Sequence, residues 1–413
     1  MKKNIVFFFY PFYLLSVLTG CKESPQQSVS ELAAETQVSY GLTEDEQILV
    51  RNGNDFSIKL LKKIAEEEGQ KNIFVSTIGL FYSLNIINNS ASGLTRQEIC
   101  NALNIDTTKI DSINKFCRRL MLGQAKPSSN MLTATLFQAG KRVNIDPSFQ
   151  KVLKHDYFAS IIKGNVDSAQ QQEIDKWCAK QTEGLLSSFP VKQNDDESAN
   201  LFVASYFNGR WVQSFNKELT KKEPFKGGIS SSVNMMNMTE YEEVFSYAKL
   251  DNFSMLSIPY VGGYRLYILL PDKIDGLASL LQSLDEEKLS SSMRQLKSYN
   301  HTYVKIPKFE VDYSFKANNY LTSLGVGKIF SDYAELNRIQ SEPMKIREVI
   351  QKTKVIIDED GTRAGAVTSS SFATLGEIMN PTEAYFYADH PFVYIIQDPF
   401  GNYCFMGIFW GDS

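Results

Sequence analysis

The sequence has little from which an enzyme active site could be built. It contains only three histidines, and it has no Gly-x-Ser-x-Gly turn, no His-Glu-x-x-His pair, no Cys-x-x-Cys pair and no glycine-rich phosphate loop. No motif places His155 or His301 in a catalytic triad, although a triad that uses one of them is left open. These absences disfavour an enzyme, and no group of residues predicts a metal site or a cofactor.

Cysteine is also scarce. Cys21 lies in the N-terminal segment, which leaves Cys100, Cys117, Cys178 and Cys404, whose spacing fits no metal-binding motif. Two of these lie in helix-like patterns and Cys404 lies in a strand-like one. We therefore predict buried single thiols, with a disulfide as the open alternative.

An excess of positive charge is absent as well. The formal net charge is −4, and removal of residues 1–20 takes away two lysines and no acid, so that 41 basic and 47 acidic residues give −6. This balance disfavours nucleic acid as a partner and favours solubility.

Long apolar runs are confined to the N-terminus. Two lysines precede the apolar stretch over residues 5–18, which is short for a membrane span and is flanked as in a secretion signal. It ends in Leu-Thr-Gly-Cys at residues 18–21, which resembles the bacterial lipobox, where a peptidase cleaves before the cysteine and the cysteine is acylated. An ordinary signal peptide with a chance cysteine is the alternative. Residues 22–45 are polar, as in a flexible tether.

This pattern predicts three parts of the chain. Residues 1–20 form a lipoprotein signal peptide, residues 21–46 contain the lipidated Cys21 and the tether, and residues 47–413 form one domain. Length alone favours two domains, at about 150 residues each, but no linker or change in composition divides the chain. The expected location is the bacterial cell envelope, with the lipid in the outer membrane and the membrane face left open.

Helical patterns come first along the chain and strand-like patterns later, which favours an α+β fold. Phe56, Leu60 and Ile64 share one helical face, with Asn54 as a candidate N-cap, and residues 172–189 form a second amphipathic pattern. Strand-like runs follow over residues 201–207, 266–270, 304–309, 354–357 and 393–396.

The most informative segment covers residues 358–371, a charged turn followed by small residues. Such a run buries little apolar area, so its composition predicts either a disordered linker or an exposed loop. We favour the loop because a strongly apolar segment follows over residues 384–396. At the period of a strand, one face of the run carries only small side chains, so the loop could also become a central strand. That face comprises Thr362, Ala364, Ala366, Thr368 and Ser370.

This segment resembles the hinge of the serpin family, which reads Glu, any residue, Gly, Thr and then an Ala-rich run that ends in Thr. Further similar segments occur in family order over roughly residues 47–411. The hinge match comprises Glu359, Gly361, Thr362, Ala364, Ala366 and Thr368, and the other segments are 72–76, 93–99, 203–211, 233–236, 256–260, 306–309, 324–325, 391–392 and 405–407.

The resemblance implies helices packed on a large central mixed β-sheet with smaller sheets, and an exposed reactive-centre loop over about 359–385. It implies a monomeric suicide substrate for a serine or cysteine protease, which attacks the loop and is trapped when the cut loop inserts into the sheet. It also makes the segment around His390 a structural turn. Counting from Glu359 places the cut between Leu375 and Gly376, with Phe372 and Met379 as alternatives, which favours chymotrypsin-like or elastase-like targets.

The resemblance further implies a salt bridge between Lys308 and Glu359, with Trp211 packed nearby. Below the point where the sheet would open, the family pattern has Ser, Asn and His, whereas this chain has Gly79, Val203 and Gln351. This difference leaves a second interpretation, a non-inhibitory serpin-like binding or structural protein.

Overall fold

The computed structural model describes residues 41–124, 130–190, 196–240, 244–362 and 383–412. Helices dominate the first third of this part, and strands dominate the rest, as expected for an α+β fold. The helices are α1 (Glu44–Glu68), α2 (Thr77–Ser90), α3 (Gly93–Leu103), α4 (Ile110–Gln124), α5 (Pro147–Lys151), α6 (Ser168–Gln181), α7 (Leu277–Ser283), α8 (Glu286–Arg294) and α9 (Asn318–Ser323). The strands are β1 (Ile73–Ser76), β2 (Met131–Ala139), β3 (Ser160–Lys163), β4 (Ser198–Phe207), β5 (Lys221–Pro224), β6 (Ser232–Glu240), β7 (Ser246–Lys249), β8 (Phe253–Pro259), β9 (Arg265–Pro271), β10 (His301–Pro307), β11 (Phe309–Lys316), β12 (Lys345–Asp358), β13 (Gly361–Thr362), β14 (Glu383–Tyr387), β15 (Phe392–Gln397) and β16 (Tyr403–Phe409).

A large mixed sheet has the strand order β11-β12-β4-β2-β3, with the short β13 paired to β12. The pairs β4–β12 and β2–β3 are parallel, and the other pairs are antiparallel. All ten residues of β4 are buried, which is typical of a strand covered on both faces. Phe202 and Ala204 pack in the apolar cluster that includes Ile174 and Trp177 of α6, and Val203 on the other face contacts α2.

Two smaller sheets complete the described part. The second sheet has the order β1-β16-β15-β9-β8-β7, and the third sheet has the order β14-β10-β6-β5. Phe74 on β1 stacks on Phe405 of β16 with 4.7 Å between the ring centroids, within the main hydrophobic core. All of α2 is buried, so this helix crosses the interior and supports both the core and the large sheet.

The N-cap predicted at Asn54 is wrong. The N-cap of helix α1 lies eleven residues earlier, at Thr43, which forms a capping box with Glu46. Asn54 lies inside the helix because its side chain has tertiary partners: it donates to the carbonyl of Gly401 over 2.9 Å and accepts from the amide of Tyr403 over 2.8 Å.

Two other boundaries differ from the predicted ones. Helix α6 ends at Gln181 rather than near Phe189, because Glu183 and Gly184 take positive φ angles of 51° and 79°. The apolar pattern continues past the helix end because Phe189 still packs in the cluster under α6. The run over 304–309 is divided at Lys308, where the chain leaves the third sheet as β10 and enters the large sheet as β11.

Cys100, Cys117, Cys178 and Cys404 are all buried and form no disulfide with one another, in line with the prediction of single thiols. Burial raises the pKa of the Cys117 and Cys178 thiols to about 12, so both stay protonated at neutral pH. In the described ranges, no helix combines the length and the apolar character needed to cross a bilayer.

Candidate functional site

The predicted hinge begins where β12 ends. The carboxylate of Asp358 accepts hydrogen bonds from the amides of Asp360 and Gly361 over 3.0 and 3.2 Å, which closes a tight turn. The chain then reverses, and Gly361 and Thr362 pair antiparallel with Asp358 and Ile357. At Gly361 and Thr362 the hinge is therefore already a strand.

These two residues lie between β12 and the segment that follows β4. The amide of Thr362 donates to the carbonyl of Gly209 over 2.6 Å, and Gly361 forms an antiparallel bridge with Arg210. Gly361 has a φ angle of 142°, and a Cβ at this position would lie 2.2 Å from the carbonyl oxygen of Gly209. Glycine is required because two backbones meet here without space for a side chain.

A salt bridge between an exposed lysine and a buried carboxylate fixes the start of the turn. The Glu359 side chain is only 4% exposed, its Oε2 lies 2.7 Å from Lys308 Nζ, and its Oε1 accepts from the Thr220 hydroxyl over 2.8 Å. Burial disfavours the charged carboxylate, but these hydrogen bonds outweigh burial and lower the pKa of Glu359. The pairing of Lys308 with Glu359 that the resemblance implies is thus present.

Aromatic side chains cover the other face of the turn. The buried Trp211 ring stacks on Tyr260 with 4.2 Å between centroids, and its indole Nε1 donates to the carbonyl of Asp358 over 2.9 Å. The hydroxyls of Tyr260 and Thr362 lie 2.9 Å apart and share a hydrogen bond. The Trp211 amide also donates to the carbonyl of Asp360, so both the ring and the backbone of this residue hold the hinge.

The three positions predicted below the opening of the sheet also come together. Gln351 is fully buried, and its side-chain amide bonds both main-chain groups of Ser76: Oε1 accepts from the amide and Nε2 donates to the carbonyl, each over 2.8 Å. On the neighbouring strand, a methyl of Val203 lies 2.8 Å from where a Cβ on Gly79 would be. We call these residues, with Ser76, the gate.

The gate therefore has one polar contact and one apolar contact. Gln351 fastens β12 to the start of α2, whereas Val203 of β4 only packs against that helix. Between the two strands the sheet is closed by parallel pairing from Lys345 opposite Ser198 to Lys354 opposite Tyr206. The gate lies eight residues from Glu359 along β12, about 26 Å away at the rise of a strand.

Sequence reasoning missed several partners of the hinge. Tyr260 lies in a segment quoted for its similarity, but no pattern assigned it a contact with Thr362, and nothing in the sequence indicates Thr220. The other predicted site residues, namely Cys21, Ala364, Ala366, Thr368, Phe372, Leu375, Gly376 and Met379, lie outside the described residues.

Comparison with known families bears on this arrangement. The family model described as "Serpin (serine protease inhibitor)" matches residues 51–410, most of the chain. The chain belongs to the serpin family. Its relatives support inhibition of serine proteases as the general function of this serpin.

Two relatives illustrate the similarity of this serpin to others. Serpin-ZX of Arabidopsis thaliana is 26% identical over 370 residues, which cover 84% of this chain and 93% of that protein. A protein named leukocyte elastase inhibitor from Xenopus laevis is 29% identical over 359 residues, which cover 83% of this chain and 93% of that protein.

Solved structures share the fold of this serpin. The native state of tengpin, a thermophilic serpin, matches with a TM-score of 0.77 at 23% identity and covers 92% of this chain and 98% of its own. Maspin matches with a TM-score of 0.79 at 25% identity and covers 89% of this chain and all of its own. The helices, the large sheet and the two smaller sheets described above therefore form the serpin fold.

Proposed function

We propose that this serpin inhibits a serine or cysteine endopeptidase as a suicide substrate. The protease nucleophile attacks the scissile carbonyl in the loop, the peptide C–N bond breaks, and the released amine leaves with a proton. The N-terminal part of the loop, now an acyl group on the protease, inserts between β4 and β12 and pulls the protease away before water can hydrolyse the acyl bond.

The observation that carries this proposal is the position of Gly361 and Thr362, which lie between β12 and the segment that follows β4. Their antiparallel pairing with β12 sets a register, with Thr362 opposite Ile357. If the same register continues, Ala364, Ala366 and Thr368 come to lie opposite Val355, Thr353 and Gln351. Those three residues of β12 are buried, so the small face of the loop enters the interior.

Hydrogen bonding supplies the driving force in this proposal. Insertion separates β4 from β12, but the new strand pairs with both, and each added hydrogen bond contributes roughly 0.5–1.5 kcal/mol net. About ten such bonds are comparable with the whole stability of an ordinary domain. The uncut protein is then a kinetically trapped state.

The loop sequence favours protease clefts that accept apolar residues. Leu375 and Gly376 flank the proposed reactive bond, and Phe372 and Met379 are the alternative sites. No lysine or arginine lies between Arg363 and the end of the loop, which disfavours trypsin-like targets, and Pro381 disfavours a cut after Asn380. We therefore propose chymotrypsin-like or elastase-like targets.

The direct test is to mix the protein with chymotrypsin and, separately, with an elastase. Denaturing gels should show a covalent adduct of one chain and one protease, because we propose that the protein acts as a monomer. Intact mass should show release of the peptide 376–413 if the bond follows Leu375. Release of a different peptide would place the reactive bond at another position in the loop. Cleavage without any adduct would contradict the trapping mechanism.

The gate supports a second candidate, a non-inhibitory serpin that binds a partner or has a structural role. Gly79, Val203 and Gln351 replace the Ser, Asn and His of the family pattern, and Gln351 ties β12 firmly to Ser76. If β4 and β12 separate more slowly than water hydrolyses the acyl bond, the protease is released and the chain is only a substrate. Cleavage of the loop without a rise in melting temperature is the result expected from this candidate.

We further propose that Cys21 carries a lipid that anchors the protein in the bacterial cell envelope, in the outer membrane. The sequence before Cys21 supports this assignment. In a bacterial host, Cys21→Ser should move the protein from the membrane fraction to the soluble fraction. Membrane association that survives this substitution would contradict the anchor.

A further inference from the structure

The outer face of the third sheet carries three tyrosines whose side chains lie outside the hydrophobic core. Tyr303 on β10 and Tyr385 and Tyr387 on β14 point away from the interior, and the latter two are 52% and 42% exposed. Residues on the inner face of the same strands, such as Val304 and Phe386, are buried and fill the core. We call the three outer side chains the tyrosine platform.

The platform is held in one arrangement. The rings of Tyr303 and Tyr385 are stacked, with 4.7 Å between centroids and 7° between planes, and Tyr387 meets Tyr385 edge-on at 6.2 Å. The Tyr385 hydroxyl donates to Glu383 over 2.6 Å, and Lys305 Nζ lies 5.5 Å from the centre of the Tyr387 ring.

Such a surface is suited to a protein partner. Exposed tyrosines offer a large amphipathic contact area at low cost in side-chain entropy, and rings that are already ordered lose little freedom on binding. Tyrosine is also among the residues that most often dominate the binding energy of protein interfaces.

We propose that the tyrosine platform is a second docking surface for the protease that attacks the loop, which rests on the proposed function. The argument is one of chain length. Leu375 and Glu383 are eight residues apart, so a chain between them spans at most about 28 Å. A protease domain of about 230 residues has a radius of gyration near 17 Å and is therefore about 44 Å across. A protease that holds Leu375 in its cleft therefore keeps part of its surface within about 28 Å of β14, where the tether joins the sheet, and a body of that width can reach the platform.

The test measures docking separately from trapping. Chymotrypsin whose nucleophilic serine is replaced by alanine serves as the probe, and its dissociation constant for the whole chain is measured by biolayer interferometry. Tyr385→Ala should weaken binding about 10-fold, and Tyr303→Ala with Tyr385→Ala should weaken it further. Tyr387→Ala is a second, independent variant, and melting curves establish that each protein is folded.

Tyr333→Ala is the matched control, because this tyrosine is 80% exposed and lies beside Asp332, which pairs with Lys345 at the far end of β12. That end is about 43 Å from Asp358 along the strand. The control should bind as the wild type does. Equal affinity in all variants, or no binding of the inactive probe by the wild type, would overturn the docking proposal.

Active chymotrypsin, mixed with the same proteins, distinguishes the two proposals. If the inactive probe binds through the platform but active protease leaves no adduct, docking stands and the suicide mechanism fails. If adducts form at the same rate constant in wild type and platform variants, trapping stands and the docking surface is refuted.

Discussion

At the scale of single residues, Thr362 is a position where we expect substitution by a large or charged side chain to disrupt function. Its side chain is fully buried, and its hydroxyl shares a hydrogen bond with that of Tyr260. Every proposed step of insertion begins at this residue, because the loop has to follow it into the sheet.

Thr362→Arg should convert the inhibitor into a substrate. Thr362 is already buried in the intact chain, so an arginine here must either bury its charge or draw the start of the loop out to solvent. Burying a charge is costly, so we expect the hinge to leave the sheet and insertion to be blocked. Cleavage by chymotrypsin should continue, while the yield of adduct on denaturing gels falls at least about 10-fold, which corresponds to about 1.4 kcal/mol or more.

The control for this change is Thr322→Arg on α9, where the residue is exposed. It adds the same charge away from the hinge and should leave the yield of adduct unchanged. Full adduct yield from Thr362→Arg would refute the insertion of the hinge.

At the scale of elements, the contact between β12 and α2 decides how tightly the gate is closed. Gln351→Ala removes both hydrogen bonds to the main chain of Ser76, and each buried polar group that loses its partner costs about 1–3 kcal/mol. The uncut protein should melt at a lower temperature. It should also lose inhibitory activity faster on warm incubation, because β12 is freed from the helix.

Gln340→Ala separates these two effects. Gln340 is also buried and also makes two hydrogen bonds to main chain, to the amide of Asn144 and the carbonyl of Glu342, but it does not join β12 to α2. It should lower the melting temperature without hastening the loss of activity. If both variants lose activity at the same rate, the gate contact has no special role.

Much of the element pattern could be predicted from the sequence. The continuous apolar runs of β4 and β15 and the helical periodicity at Phe56 are local patterns, which neighbouring residues in the sequence determine. The N-cap at Asn54 was wrong because a polar residue there serves a contact with Gly401, 347 residues away. Periodicity carries no information on such distant partners.

The same limit applies to the candidate site. The resemblance led to Glu359 and Lys308, whose pairing follows a family pattern. It did not lead to the bond between Tyr260 and Thr362 or to that between Gln351 and Ser76, which join residues 102 and 275 positions apart. These contacts depend on how three sheets and a buried helix meet, which only the folded chain determines.

At the scale of the whole molecule, the proposed mechanism requires the cut chain to be more stable than the intact one. A protease that cuts the loop and is not trapped should leave a protein with one more central strand in the large sheet. With about ten new hydrogen bonds at roughly 0.5–1.5 kcal/mol each, the gain is about 5–15 kcal/mol.

Differential scanning calorimetry of the intact and cut proteins measures this difference. The cut protein should melt at least about 10 °C higher, given that a large domain shifts by about 2 °C or more per kcal/mol. An unchanged melting temperature would favour the non-inhibitory candidate. Thr362→Arg, cut in the same way, is the control that should show no rise.

The carboxamide of Gln351 has a consequence for the surroundings in which this serpin can work. A histidine at this position would gain a proton as its environment becomes acidic, whereas a carboxamide keeps the same charge and the same two hydrogen bonds to Ser76. The hydrogen bonds by which Gln351 holds β12 against α2 are therefore equally strong at acidic and at neutral pH. Any sensitivity of this serpin to acidity has to come from the protease or from other parts of the chain.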